Sequence, residues 1–484
     1  MASDHDPGES DQEAPGLPET HRDVRHNWWA WIVIVLAVGW IVVGVRILPS
    51  GAESIASQDD SATLAILRLQ SQMAIGMSGL QPGQTKELTD QLRPIALAGD
   101  ETTAALAIVH RFIGGEGDGL RDARNLIQKR SSINGSDDKF LTATEQALTN
   151  GVTDLERTDW LDRLGWFGNL FPNPDGSIPD DSKIRARGLL TAIGGSFLVI
   201  GAFGAGIIGL ILLVLFFVMR SERKMGTAFD PKFRPARVFL ESFALYLGLM
   251  AASDVLGILL TSRFPEGSLV PFIVSTALFV AAFVLGLTWP VFRGFRWKRV
   301  RHALGIHRGK GIAREIGAGF LGYLAVIPVA GIGVAITYLL IMYGEMAPVL
   351  EAAGGNEGDP SAEIQTASTP SHPIVGWMSE GGILIKISLL LLAAVIAPLF
   401  EEIMFRGALQ RAFRSRWRFF VSALAGGFIF AVIHPQGWVA VPALTMMGVG
   451  FAMLREWRDS LIAPMTAHAI NNGCLILLLI AAFS

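Results

Sequence analysis

The chain has 484 residues and a formal net charge of −3, with 51% hydrophobic and only 17% charged residues. A soluble chain carries roughly a quarter charged residues, so this deficit, with apolar runs near 20 residues, excludes an ordinary soluble globule and points to a membrane bundle. The single cysteine, Cys474, excludes an intrachain disulfide and a cysteine metal cage. There is no phosphate-binding loop, dinucleotide fingerprint or HExxH zinc motif.

In chain order, residues 1–26 are polar and acidic with Gly and Pro, and are expected to form a disordered tail. Residues 27–49 are expected to be the first transmembrane helix, with Trp28, Trp29 and Trp31 as interfacial anchors. That run is too long and too far from the start for an ordinary signal peptide.

Residues 50–187 break the membrane pattern. ATLAILRLQSQMAIGM, LTDQLRPIALA, ETTAALAIVHRFI and FLTATEQALTNGV each read as an amphipathic helix, and NPDGSIPDDS as a turn-rich exit. The stretch is expected to be a helical extracytoplasmic domain that packs or presents substrate; nothing in it has a catalytic pattern.

Further apolar runs cover about 188–219, 238–261, 269–292, 315–342, 381–403, 419–434, 437–454 and 460–483. With the first run they make nine candidate spans, the short 419–434 run reading as partly re-entrant. Residues 188–345 are expected to be transmembrane helices and 375–484 a catalytic membrane core. Lys and Arg concentrate in the 220–237, 293–314 and 406–418 segments, whereas 262–268 and 343–373 are poor in them. This alternation predicts a cytoplasmic N-terminus in a plasma (inner) membrane, with 50–187 on the far side. The expected fold class is therefore all-α: a polytopic helical membrane protein of about nine transmembrane helices with an inserted extramembrane helical domain.

The chemistry-bearing residues lie between Ala397 and Asn472, inside or beside apolar runs, where ionisable groups are costly and mark function by default. Glu402 and Arg406, four apart on a helix, share a face and pair. Glu401 points about 100° away and keeps its carboxylate free. Pro398 loosens the helix just upstream. The chain turns near Trp417 and Arg418; Glu401 precedes that turn by 17 residues, counted to Arg418, and His434 follows Trp417 by 17, so an antiparallel hairpin brings the two to one level. Phe430 lies one turn before His434, and Pro435 is expected to end that helix. His468 and Asn472 share a face of the last helix, below Pro464. Such a set activates water and stabilises an oxyanion. It equally offers His434, His468 and Glu401 as zinc ligands, so a cofactor reading of none or zinc stays open.

The order Glu-Glu-x-x-x-Arg, Phe-x-x-x-His and His-x-x-x-Asn on successive membrane helices, in the contexts FEEIMFRGALQ and SLIAPMTAHAINN, resembles the CPBP family. This is the CAAX-protease and bacteriocin-processing (Abi) group of intramembrane endopeptidases. The resemblance covers about 381–483 and implies hydrolysis of a peptide bond in a membrane protein or peptide substrate, within or beside the bilayer. It implies Glu401 as general base with His434 as its partner, and His468 with Asn472 as oxyanion donors. Glu402, Arg406 and Phe430 support them. The family's usual name also implies a metalloprotease, and the sequence leaves the two mechanisms open. The competing readings are a catalytically silent scaffold or immunity factor of the same fold, and a transporter using these charges as a proton relay. No nucleic-acid partner is expected.

Overall fold

The computed structural model describes residues 27–47, 52–79, 89–178 apart from 91, 98, 134 and 135, 180–222, 236–264 apart from 262, 270–353, 383–434 and 438–483. The 1–26 tail, most of the 220–237 and 343–373 loops, and Pro435 lie outside these residues.

The described residues are helical without a strand, so the chain is an all-α polytopic membrane protein. Seven helices are long and apolar enough to cross a bilayer; two shorter apolar helices, Trp28–Val42 and Phe419–Val432, fall where the remaining two expected spans lie. The first helix, α1 (Trp28–Ile47), is followed by α2 (Ala52–Ser78).

A cluster of helices then forms its own core around Leu106, Phe112, Leu141, Phe167 and Phe171. These are α3 (Asp100–Gly114), α4 (Leu120–Ser131), α5 (Asp138–Asn150) and α6 (Asp154–Leu164). Local chemistry sets their ends. Asp137 caps α5 by accepting the Phe140 N–H at 3.1 Å. At α6, Thr153 and Glu156 exchange reciprocal hydrogen bonds in a capping box. The buried Arg157 guanidinium ties α6 to the exit segment, donating to the Gly168 and Phe171 carbonyls and to Asn173 Oδ1 at 2.8–3.1 Å. Two helices that the sequence reading did not single out, α4 and α6, belong to this core, and the described part of LTDQLRPIALA includes the helical turn Arg93–Ala96.

The long α7 (Asp181–Ser221) carries the chain into the membrane, and only 6% of its most apolar window is buried by protein. Such a continuous apolar surface is stable only against lipid. α2 docks on the top of α7 where Gly76 meets Gly188 backbone to backbone.

Two helices, α8 (Ala236–Thr261) and α9 (Val270–Phe292), form a hairpin locked by the buried Glu241, which accepts from Trp289 Nε1 at 2.9 Å and pairs with Arg293 at 3.2 Å. Then come α10 (Trp297–Leu304) and α11 (Ile312–Ala353). The last four helices are α12 (Ile383–Arg414), α13 (Phe419–Val432), α14 (Val441–Arg458) and α15 (Ile462–Phe483). α11 packs along α14 and α15, α13 along α14, and α8 against both α1 and α12. Ion pairs close one end of this bundle: Arg414 with Glu456 and Arg458 with Glu315, each at 2.6 Å, and Arg455 with Asp459 at 2.7 Å.

Candidate active site

The expected kink at Pro398 takes a specific form. α12 changes to π-helix over Leu392–Ile396 and again over Glu402–Leu409, with one α-turn, Ala397–Glu401, between. Proline explains the first change. The Ala397 N–H bonds to the Leu392 carbonyl, five residues back. In that register the next donor would be residue 398, bonding to Ala393, but proline has no N–H. The Ala393 carbonyl is thereby left over, and Asn472 of α15 supplies its partner, donating from Nδ2 at 2.9 Å. Single-turn π segments recur at functional sites, and this pair brackets Glu401.

Glu402, fully buried, forms an ion pair with Arg406 Nη1 at 3.0 Å, the pairing expected from the sequence. Arg406 also donates to the Gly448 carbonyl at 3.3 Å and lies over the rings of Phe430 and Phe451, at 4.7 and 5.2 Å. Gly448 makes this approach possible: a Cβ there would stand 2.8 Å from Gly427 Cα and 3.3 Å from Arg406 Nη2. The other oxygen-directed contact of Glu402 comes from His468, whose Nδ1 lies 2.9 Å from Oε1. A carboxylate accepts, so Nδ1 carries the proton.

Glu401 faces away from that pair. Its Oε2 lies 3.9 Å from His434 Nε2 and 3.8 Å from His468 Nε2, is shielded from solvent, and accepts no hydrogen bond. The far nitrogen of each ring is anchored. His434 Nδ1 donates to the Phe430 carbonyl, as His468 Nδ1 donates to Glu402. α13 ends at Val432, so His434 sits just past its terminus, where the sequence placed the break. Phe430 packs beside both imidazoles, with ring centroids 4.2 and 5.9 Å away, and Phe451 stacks on His468 at 4.8 Å.

Glu401, Glu402, Arg406, Phe430, His434 and His468 thus meet in one place, from three helices. Asn472 is engaged differently from the sequence expectation. One of its amide protons is committed to Ala393, and its Oδ1 accepts from Asn471 at 3.2 Å. Phe451 and the rings of α8 and α9 were not singled out from the sequence. Phe451 lies on the helix before His468 and had a signal only in helical spacing; the α8 and α9 residues had none, because they lie more than 100 positions away.

A zinc ion at this place would have to draw on the same groups. Anchored Nδ1 atoms with free Nε2 atoms are usual for metal-ligating histidines. However, separations of 3.8 and 3.9 Å exceed the roughly 3.3–3.6 Å between ligands of a tetrahedral zinc with bonds near 2.0–2.2 Å. Among the described residues no group of three or more His, Cys, Asp or Glu side chains has metal-binding spacing. The donors as placed do not form a metal cage.

No curated protein and no solved structure matches the chain. Residues 383–474 match the family model described as type II CAAX prenyl endopeptidase, Rce1-like, in agreement with the CAAX-protease resemblance of the same segment.

Proposed function

We propose that the chain is an intramembrane endopeptidase in which Glu401 and His434 activate a water molecule against a peptide bond of a membrane-associated protein or peptide. The observation that carries this reading is the unpartnered Glu401 Oε2, with two imidazole Nε2 atoms 3.8 and 3.9 Å away. Those gaps are too long for direct hydrogen bonds. A water lodged among them gives one proton to the carboxylate and points the other at His434 Nε2, leaving a lone pair for attack.

Charge balance assigns the protons. Glu401, Glu402 and Arg406 sum to −1 in a buried place, where an uncompensated charge is costly. One imidazolium brings the cluster to neutrality. His468, held by Glu402 on one nitrogen, takes that role and donates from Nε2 to the developing oxyanion. The water oxygen forms the new bond to the carbonyl carbon while its proton passes to Glu401. The tetrahedral intermediate collapses as the C–N bond breaks, and the amine leaves with the proton returned by Glu401. Glu402 and Arg406 hold His468 in its tautomer. The second N–H of Asn472 remains for the oxyanion, its first being spent on the helix.

By its family the reaction is of the CAAX type, with a prenylated C-terminal peptide as the first probe. We also place the N-terminus in the cytoplasm of a plasma (inner) membrane, from the loop charges. The experiment uses the full chain in liposomes with a fluorogenic farnesylated CAAX peptide and its unprenylated twin. Cleavage by the wild type that falls at least about 10³-fold in Glu401→Gln supports the reading. Wild-type-like cleavage by Glu401→Gln refutes it. A properly folded wild type that cleaves neither this probe nor any co-expressed membrane protein favours the silent scaffold instead.

A further inference from the structure

A cleft of about 240 Å³ opens where α2, the 3-10 turn Gly165–Leu170 and the first turns of α7 meet. Pockets that enclose a drug-sized ligand run to roughly 300–1,000 Å³, so this one holds a headgroup and no more. Lys183 and Arg187 of α7 line it, one turn apart on one face. The Arg187 side chain has no hydrogen bond or ion pair among the described residues. Lys183 meets Asp180, also on the cleft, at 2.9 Å, but both side chains are mostly exposed, and such pairs hold weakly in water. Trp166 forms another part of the lining. The half-buried Arg68 of α2 lies over its ring, 5.9 Å from the centroid, and has no carboxylate partner among the described residues. Three cations thus stand about the cleft against one carboxylate, an excess that attracts an anion. Two neutral groups complete the lining. They are Gln72 and Asn169, whose Nδ2 donates to the Trp166 carbonyl at 3.1 Å and leaves Oδ1 to accept from a hydroxyl.

Beyond the cleft the same face of α7 becomes apolar. Lys183, Arg187, Leu190, Gly194 and Phe197 fall within about 40° of one line along the helix, at about 100° per residue. Leu190 and Phe197 are 69% and 72% exposed, and a Cβ at Gly194 between them would meet nothing within 4 Å. The two side chains bracket an open notch. From Arg187 to Phe197, at about 1.5 Å per residue, is about 15 Å. That is one leaflet of a hydrocarbon core about 30 Å thick. The cations therefore sit at headgroup level when Phe197 is near the midplane.

We propose that this cleft and notch bind an anionic phospholipid. Its phosphodiester lies between Lys183 and Arg187, a headgroup hydroxyl bonds to Asn169, and one acyl chain lies in the notch at Gly194. A free anion would use the cations and leave the apolar stripe bare. A zwitterionic lipid would carry a fourth cation to the three already there. The bound lipid ties α2 and the 165–170 turn to α7, and so holds the core of residues 100–171 against the bilayer.

The test is native mass spectrometry of the full chain in detergent, titrated with dioleoyl phosphatidylglycerol and, separately, dioleoyl phosphatidylcholine. The wild type is expected to retain the first at least about tenfold more tightly than the second, the effect of two cations at about fivefold each being about 25-fold at most. Lys183→Gln and Arg187→Gln are each expected to weaken phosphatidylglycerol about fivefold and to leave phosphatidylcholine unmoved. Lys183→Arg is expected to bind as wild type does. Gly194→Leu fills the notch, keeps every charge and meets no neighbour; it is expected to weaken phosphatidylglycerol at least about fourfold, the effect of one methylene losing its contact. Equal retention of the two lipids, or a Lys183→Gln/Arg187→Gln double variant within about twofold of wild type, overturns the inference. So does displacement of the lipid by glycerol 3-phosphate, or wild-type affinity in Gly194→Leu, since either makes the cleft an anion site without a place for the chain. Binding is read without cleavage, so the outcome is independent of the peptidase reading.

Discussion

Replacing Asn472 by alanine removes the only side-chain partner that the Ala393 carbonyl has among the described residues, a carbonyl that Pro398 has already deprived of a backbone donor. Hydrogen bonds between membrane helices are worth about 0.6 kcal/mol on average and up to about 1.7 kcal/mol. An orphaned buried acceptor costs about 1–3 kcal/mol. The carbonyl is half-buried, so the expected loss is about 1–2 kcal/mol of bundle stability. Pro398→Ala supplies the missing N–H at the position that would bond Ala393. In that background Asn472→Ala is expected to cost less than about 0.5 kcal/mol, a coupling well beyond the additivity error of about 0.3–0.5 kcal/mol. The assay is reversible unfolding in bicelles, run as a double-mutant cycle beside peptide cleavage. Equal costs of Asn472→Ala in both backgrounds would show that the amide does not serve the α12 backbone. Loss of cleavage without loss of stability would return Asn472 to a purely catalytic role.

Gly448→Ala drives a methyl against Gly427 Cα and the Arg406 guanidinium, and is expected to cost about 1–3 kcal/mol and most of the cleavage activity; an unfolding midpoint unchanged from wild type would refute the close-packing argument. Gly76→Val sets a side chain into the Gly188 backbone, since even a Cβ would stand 2.2 Å from the Gly188 carbonyl carbon. The 52–178 helices are expected to become sensitive to limited proteolysis while unfolding of the rest is unmoved. His307, in the loop between α10 and α11, accepts the Gly309 N–H on Nδ1 and faces Asp459 with Nε2 at 3.9 Å. Burial foremost, then the neighbouring His302 and Arg455, depress its pKa, against an opposing pull from Asp459. A depressed base contributes stability above its unfolded pKa of about 6.5 and loses it as pH falls towards the folded value. Amide protection factors in residues 305–311, corrected for intrinsic exchange, are expected to fall below about pH 6.5 in wild type and to lose that dependence in His307→Gln. Chelators are expected to leave cleavage unchanged; stoichiometric zinc that disappears with His434→Ala would show that the donors close around a metal.

The parts of the site that could be read in the sequence are those fixed by local geometry. Four-residue spacing placed Glu402 against Arg406, and counting from the turn at Trp417 placed Glu401 level with His434. Both arguments need only helical rise and a short hairpin. What escaped depends on partners remote in sequence or on hydrogen-bond register. An eight-residue π segment over Glu402–Leu409 has no side-chain pattern of its own, so Pro398 announced a disturbance without its form. Asn472 was read by its spacing from His468, yet its first obligation is to a carbonyl 79 residues earlier.

The two kinds of information meet at Glu401. Its freedom from Arg406 follows from the sequence, but its place between two imidazoles depends on α12 being overwound nowhere and widened twice, once before it and once after. Restoring the plain α register to either π segment rotates everything beyond it about the helix axis. Glu401 would then turn from the imidazoles while Glu402 and Arg406 stayed paired. Under the proposed mechanism Pro398 and Asn472 would matter alongside the histidines, because they set the angle at which the carboxylate is presented. The ion pair of Glu402 and Arg406, buried and held by Gly448, sets the depth.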